Sequence, residues 1–248
     1  MALLTDKVAV VTGAGRGIGS AIVRQLAGEG AKVVAHFRRS SAGIDELVAQ
    51  FPGSVYPRQA DLTNADEAAG LIEAAIERFG RVDALVNNAA SFHADMVFEN
   101  DQWEAYVDEF NGVVGTMFHT TQSVIPHMKA QGGGRIVNFV ATLVHRPAAG
   151  YGAHTAAKAA VLAITRTLAR ELGSHHITVN AVSPGMTLTD YSQGLPEVAR
   201  AEVAGRTPLG RLAEPDDVAR VVVFYASDLA GFITGAVIAP DGGLAIIG

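Results

Sequence analysis

The chain has 248 residues, no cysteine, and a formal charge of −6 from 19 Lys and Arg against 25 Asp and Glu. Hydrophobic residues make up 49% and charged residues 18%, a composition that excludes a disordered chain, a disulfide scaffold and thiolate chemistry. The mild acidity argues against nucleic acid as the main partner. No apolar run approaches the roughly 18 residues that cross a bilayer, and the opening MALLTDK lacks the apolar stretch of a secretion signal, so a cytoplasmic globular protein is expected.

Short apolar runs at 8–11, 32–36, 84–87, 136–140, 177–182 and 236–239, with a weaker one at 54–59, are rich in Val and Ile and lack strict alternation. Strands buried on both faces of a parallel sheet read this way. Between them the apolar residues recur at helical spacing. Ile22, Val23, Leu26 and Ala27 share one face, and Leu71, Ile72, Ala75, Ile76 and Phe79 share another. Val161, Leu162, Ile164, Thr165, Leu168 and Leu172 form the next, and Val218, Val221, Val222 and Tyr225 the last. Strand and helix alternate from end to end, which predicts one α/β domain over 1–248, a doubly wound parallel sheet of about seven strands with helices on both faces.

The first strand runs into Thr12, Gly13, Ala14, Gly15, Arg16, Gly17, Ile18 and Gly19 at the start of the first helix. Backbone N–H groups and the helix dipole at such a junction favour a phosphate, and glycines let it approach closely. The spacing Gly-x-x-x-Gly-x-Gly differs from the common dinucleotide fingerprint, and no Gly-Lys-Ser/Thr makes it a P-loop. At the end of the second strand the sequence reads His36, Phe37, Arg38, Arg39 and Ser40, with no acid before Asp45. A carboxylate there suits the ribose hydroxyls of NAD, whereas arginine suits a 2′-phosphate. Arg38 and Arg39, with Arg16 nearby, therefore favour NADP(H).

These features, with Asp61-Leu62, Asn87-Asn88-Ala89, the GRIVN run at 134–138, Lys158 in an Ala-rich helix, Asn180 to Gly185, and Asp241 to Gly243, resemble the short-chain dehydrogenase/reductase family over nearly the whole chain. The resemblance implies a Rossmann-like sheet, a nicotinamide cofactor, a small-molecule substrate and a homotetramer. It implies that Asp61 and Leu62 lie at the adenine, Asn88 and Ala89 beside the ribose, and Pro184, Gly185 and Thr187 at the nicotinamide. It also implies that the segment 186–212 covers the substrate. A weaker echo of the pteridine-reductase branch lies in AHFRRS and NNAASF.

The family's proton-transfer site uses a Ser, a Tyr four residues before the Lys, and usually an Asn. Four residues is one helical turn, so Tyr and Lys share a face. Here the residue four before Lys158 is His154, and Tyr151 lies seven before it. The expected serine position is Ala141, with Thr142 as the nearest hydroxyl; it can substitute only where the strand has ended or bulged. Asn111 lies in the right region, but the family position falls near Val113. Imidazole titrates near pH 6.5, against about 10 for a phenol. A Lys158 charge and an oxidised nicotinamide both disfavour imidazolium, so a neutral His154 acting as base or hydrogen-bond partner is the easier role.

The remaining histidines show no ligand spacing, so no metal site is expected. His93 and His145 follow the fourth and fifth strands, where ligands collect, yet a solvated loop is the simpler reading. Trp103, Tyr106 and Phe110 read as packing on one helix face. Three functions stay open. The leading one is an NADP(H)-binding oxidoreductase that uses His154 and Lys158, with Thr142 holding the substrate oxygen. The second is an isomerase, lyase or cyclase with His154 as acid/base. The third is a catalytically silent cofactor-binding protein.

Overall fold

A computed structural model describes residues 2–39, 42–92 and 96–246; His93 and the final residues of the apolar tail lie outside them. Within the described residues the strands are β1 (Val8–Val11), β2 (Lys32–Phe37), β3 (Val55–Gln59), β4 (Ala84–Asn87), β5 (Gly134–Phe139), β6 (Ile177–Val182) and β7 (Val237–Ile238). They form one sheet in the order β3-β2-β1-β4-β5-β6-β7, with every pair parallel. The helices are α1 (Gly17–Gly28), α2 (Ala42–Gln50), α3 (Ala65–Phe79), α4 (Trp103–Phe110), α5 (Thr116–Ala130), α6 (Gly152–Leu172), α7 (Asp190–Gln193), α8 (Glu197–Arg206) and α9 (Pro215–Ala226). This is the doubly wound, Rossmann-like α/β fold.

The unbroken apolar runs follow from burial on two faces. Ala9 and Val11 pack with α1 and α9 on one side, while Val10 packs with α3 on the other. The same split separates Val33 and Ala35 from Val34, and Val137 and Phe139 from Ile136. Each fully buried Val, Leu or Ile contributes about 1.5–3 kcal/mol, so both faces favour apolar residues, alternation vanishes, and buried polar positions such as Asn87 and Asn138 are hydrogen-bonded. The helix faces read from the sequence are the ones packed inward. Ile22, Val23 and Leu26 are buried on α1, and Leu71, Ile72 and Ala75 on α3.

Strand order reverses at β1, whose two neighbours are β2 and β4. Such a switch point opens a crevice at the carboxyl ends of the strands. Below it the sheet is tied to α5 and α6 by a buried polar chain. The Asn87 amide donates to Thr121 at 3.0 Å and to the Asn138 Oδ1 at 2.9 Å, and Asn138 donates to the Thr165 hydroxyl at 2.9 Å. Thr120 donates to Asn87 Oδ1 at 2.7 Å. Deleting one member strands its buried partners, at about 1–3 kcal/mol per unsatisfied group.

Candidate active site

The glycine turn between β1 and α1 is shaped by close backbone approach. Gly13 has φ +66°, and a Cβ there would lie 2.9 Å from the Ala89 Cα; a Cβ on Gly19 would lie 2.1 Å from the Gly13 carbonyl oxygen. Helix α1 then begins without a side-chain cap at Arg16 and without an acid in its first turn. The contrast with α3 is informative. There the Asn64 carboxamide accepts from the N–H groups of Asp66 and Glu67, and those two acids occupy the first turn. Two of α3's terminal donors are thus satisfied internally, whereas those of α1 are left to face an anion.

Three neighbours hold the turn in place. The Thr12 hydroxyl accepts from the N–H groups of Asn88 and Ala89, each at 2.9 Å. The Asn88 amide donates to the carbonyls of Thr12 and Gly13 at 2.9 and 3.1 Å. Asn88 thus buttresses the turn with its side chain. His36, buried at the end of β2, accepts the Gly13 N–H at Nδ1 (3.0 Å). Its Nε2–H therefore donates to the Ala60 carbonyl, also at 3.0 Å.

Burial lowers the His36 pKa below 6.5, against opposing effects of the Ala60 carbonyl and Asp61. The neutral ring is the one that fits, because a proton on Nδ1 would remove the acceptor for Gly13. With the folded value depressed, this contribution to stability is complete above the unfolded value of 6.5 and is lost as pH falls through the lower folded one. Melting temperature is expected to fall more steeply from about pH 7 to about pH 5 in the wild type than in His36→Asn, whose amide oxygen accepts from Gly13 without titrating. Parallel slopes would show that His36 does not carry the effect.

A cavity of about 400 Å³ lies beyond β2 and β3, lined by Arg38, Arg39, Gln59, Ala60, Asp61 and Glu67. Arg38 forms an ion pair with Asp61 at 2.7 Å across its mouth. The Thr63 hydroxyl and backbone, with Arg38, hold the Asp61 carboxyl below its usual range. Arg16 and Arg39 are exposed. Leu62 is buried beneath α3, and Ile18 packs on the core.

At the other end of the crevice, His154 and Lys158 sit one turn apart on α6, and both are buried. The Lys158 ammonium donates to the Phe139 carbonyl at 2.9 Å. Burial pulls its pKa down to about 8, opposed by the charge of Glu109. Glu109 is the residue that the sequence reading missed. Its Oε1 lies 2.5 Å from the His154 Nδ1, and its Oε2 accepts from the Ser91 hydroxyl at 2.7 Å. Burial works against this carboxylate, but the His154 ring and the Ser91 hydroxyl, with the charges of His154 and Lys158, hold its pKa below the ordinary value.

Glu109 reaches the site from the end of α4, where a π turn over Asn111–Gly115 joins α4 to α5. Such a bulge adds a residue to the turn and resets the phase between the flanking helices. Asn111 is exposed and Val113 is buried, so Asn111 stands away from the His154 group. The one signal in the sequence was an acid at helical spacing between Tyr106 and Val113, on a face that is otherwise apolar. Trp103 does not pack inward as expected. It is 74% exposed, though stacked on Tyr106 at 6.2 Å, because the inward face of α4 is the one that carries Glu109.

Strand β5 ends at Phe139, and a 3₁₀ turn begins at Thr142, which meets the condition for its hydroxyl to turn into the site. That hydroxyl donates to the Pro184 carbonyl at 3.2 Å and keeps its acceptor capacity. Tyr151 precedes α6 and pairs with Met96 in a short bridge. Phe92 meets the His154 ring edge-on at 4.6 Å and Tyr191 of α7 at 4.8 Å. Gly185 lies close against Asp241, and Thr187 donates to the Gly185 carbonyl at 3.1 Å. Among the described residues no three His, Asp or Glu side chains form a metal-holding group, and no helix is long and apolar enough to cross a membrane.

A family model described as enoyl-(acyl carrier protein) reductase matches residues 13–245. The 3-oxoacyl-[acyl-carrier-protein] reductase FabG of Thermotoga maritima is 38% identical over 249 residues, covering 98% of this chain and 99% of the relative. The chain belongs to the short-chain dehydrogenase/reductase family. Two other relatives of this kind are oxidoreductases named for different substrates. The L-rhamnose 1-dehydrogenase (NAD(P)(+)) of Azotobacter vinelandii is 38% identical over 253 residues, 98% of each chain. The 3alpha-hydroxysteroid dehydrogenase of Mediterraneibacter gnavus is 37% identical over 247 residues, 97% of each chain. Similar identity across such unlike substrates is what a short-chain dehydrogenase/reductase scaffold with a separately varied substrate site produces.

Proposed function

We propose that this chain is an NADP(H)-dependent oxidoreductase that interconverts a carbonyl and an alcohol, with His154 in place of the family's usual tyrosine. The observation that carries the reading is the buried His154–Lys158 pair, one turn apart on α6, in a protein whose glycine turn keeps an open cradle. A Cβ at Gly13 or Gly19 would strike the neighbouring backbone, so only glycine permits this tight turn, and the uncapped start of α1 offers N–H groups to a pyrophosphate. The residues present therefore fit a nicotinamide dinucleotide. When bound, it supplies the hydride in reduction and accepts it in oxidation.

Around it, Arg38 binds the 2′-phosphate with help from Arg39 and Arg16, Asp61 and Leu62 border the adenine, and Pro184, Gly185 and Thr187 border the nicotinamide. Lys158, whose ammonium the Phe139 carbonyl holds, would bind the ribose. His154 passes a proton between its Nε2 and the substrate oxygen, and Thr142 orients that oxygen by turning its hydroxyl away from the Pro184 carbonyl. The segment 186–212, with Tyr191 against Phe92, excludes water from His154. As the family resemblance implies, the protein works as a homo-oligomer on a small-molecule carbonyl.

The test is a fluorescence titration with NADPH and NADH. NADPH is expected to bind tighter. Arg38→Ala is expected to weaken NADPH about tenfold, equivalent to about 1.4 kcal/mol, and to leave NADH unchanged. Binding of neither cofactor would overturn the reading.

A further inference from the structure

We propose that Glu109 is a positioning residue that fixes the ring of His154, holding the proton on Nδ1 so that Nε2 is the atom that exchanges a proton with substrate. As a statement about catalysis this rests on the oxidoreductase reading above; as a statement about the ring it stands alone.

The geometry is built for one imidazole orientation. The carboxylate is 2% exposed and lies 2.5 Å from Nδ1. An ionised carboxylate only accepts, so the hydrogen between the two belongs to Nδ1. Phe92 braces the ring from a second direction at 4.6 Å. Glu109 is itself held. The Ser91 hydroxyl takes its other oxygen at 2.7 Å, and the Ser91 N–H donates to the Gly112 carbonyl at 3.3 Å. Ser91 can sit there only because residue 112 is glycine. A Cβ at that position would lie 2.2 Å from the Ser91 Oγ and 2.6 Å from its Cβ. The π turn thus supplies both the phase that aims Glu109 inward and the gap that admits its partner.

Glu109 also faces both cationic partners: its carboxylate touches the His154 ring directly, and the charge of Lys158 acts on it as well. During reduction the charged ring gives its Nε2 proton to the substrate oxygen as hydride reaches the carbon. The N–H electron pair stays on Nε2, Nδ1 keeps its proton, and Glu109 remains ionised. Oxidation of an alcohol runs the same transfer backwards. Ser91 donates to Glu109 and not to the ring, so the order of contacts is not that of a serine nucleophile.

Ring nitrogen NMR on cofactor-free, ¹⁵N-labelled protein tests this, with the His154 signals assigned by their loss in His154→Gln. In alkaline buffer the wild type is expected to carry its ring proton on Nδ1, and Glu109→Gln is expected to shift it to Nε2 or to exchange between the two. With NADPH and a short 3-oxoacyl thioester as probe, Glu109→Gln is expected to lower kcat about 10²-fold with little change in KM, and Glu109→Asp to recover part of the loss. A wild-type ring protonated on Nε2 would overturn the proposal, and that measurement needs no variant. A folded Glu109→Gln protein with wild-type kcat would also overturn it. A protein that binds no nicotinamide but shows the Nδ1 proton, lost in Glu109→Gln, would overturn the oxidoreductase reading while supporting the positioning of the ring.

Discussion

Replacing His154 by glutamine is expected to lower carbonyl turnover by about 10²–10⁴-fold, the usual worth of a positioned proton donor, while NADPH affinity stays within about threefold. Glutamine is the informative choice because its amide can still donate to Glu109, which lies 2.5 Å from the histidine Nδ1. His154→Leu would leave one buried carboxylate oxygen of Glu109 without a partner, at about 1–3 kcal/mol, and would confuse lost chemistry with lost folding. Stopped-flow NADPH oxidation beside a thermal melt separates the two. A complementary variant restores the family pattern. If His154 carries the chemistry, His154→Tyr combined with Ala141→Ser abolishes the native activity, since Glu109 is then set against a phenol. A gain of activity would show that the His154 site had decayed.

Gly19→Val is expected to abolish cofactor binding and to cost more than about 2 kcal/mol of stability. A Cβ at position 19 would lie 2.1 Å from the Gly13 carbonyl oxygen and 2.8 Å from the Asn88 amide nitrogen. Neither neighbour can retreat cheaply. The first is backbone held by the His36 ring through Gly13, and the second buttresses Thr12 and Gly13. Gly28 at the far end of the same helix has nothing within 4 Å of a Cβ, so Gly28→Ala serves as the control. It is expected to leave binding intact and to change stability by no more than about 1 kcal/mol. NADPH fluorescence and melting temperature report both. Binding retained in a folded Gly19→Val protein would show that the cofactor does not use this turn.

Much of the molecule was legible because its signals are local. Strands buried on both faces must be continuously apolar, so the runs at 8–11, 84–87 and 177–182 coincide with β1, β4 and β6. A phosphate cradle needs glycines within a few residues of one another, and a one-turn interval places His154 beside Lys158 on any α-helix. Periodicity and short spacing carry these, and they led to the fold; the family came from the resemblance of the assembled motifs.

The rest depended on contacts across elements. Arg38 was read from the sequence as a partner for a 2′-phosphate; that β3 ends beside β2 and sets Asp61 against it at 2.7 Å is visible only in the fold. Asn88 belongs by resemblance to the ribose, yet the switch between β1 and β4 brings its amide onto Thr12 and Gly13. His154 looked electrostatically ill-placed beside a lysine until α4 delivered Glu109, 45 residues earlier in the chain. No local period connects those two positions. Their meeting depends on how α4 and α6 cross, and on a π turn that shifts the phase of the intervening helix. The sequence by itself determined which groups the site contains within each element. Only the tertiary structure decided which charge faces which, because interaction between charges depends on distance through space, and folding sets that distance independently of separation along the chain.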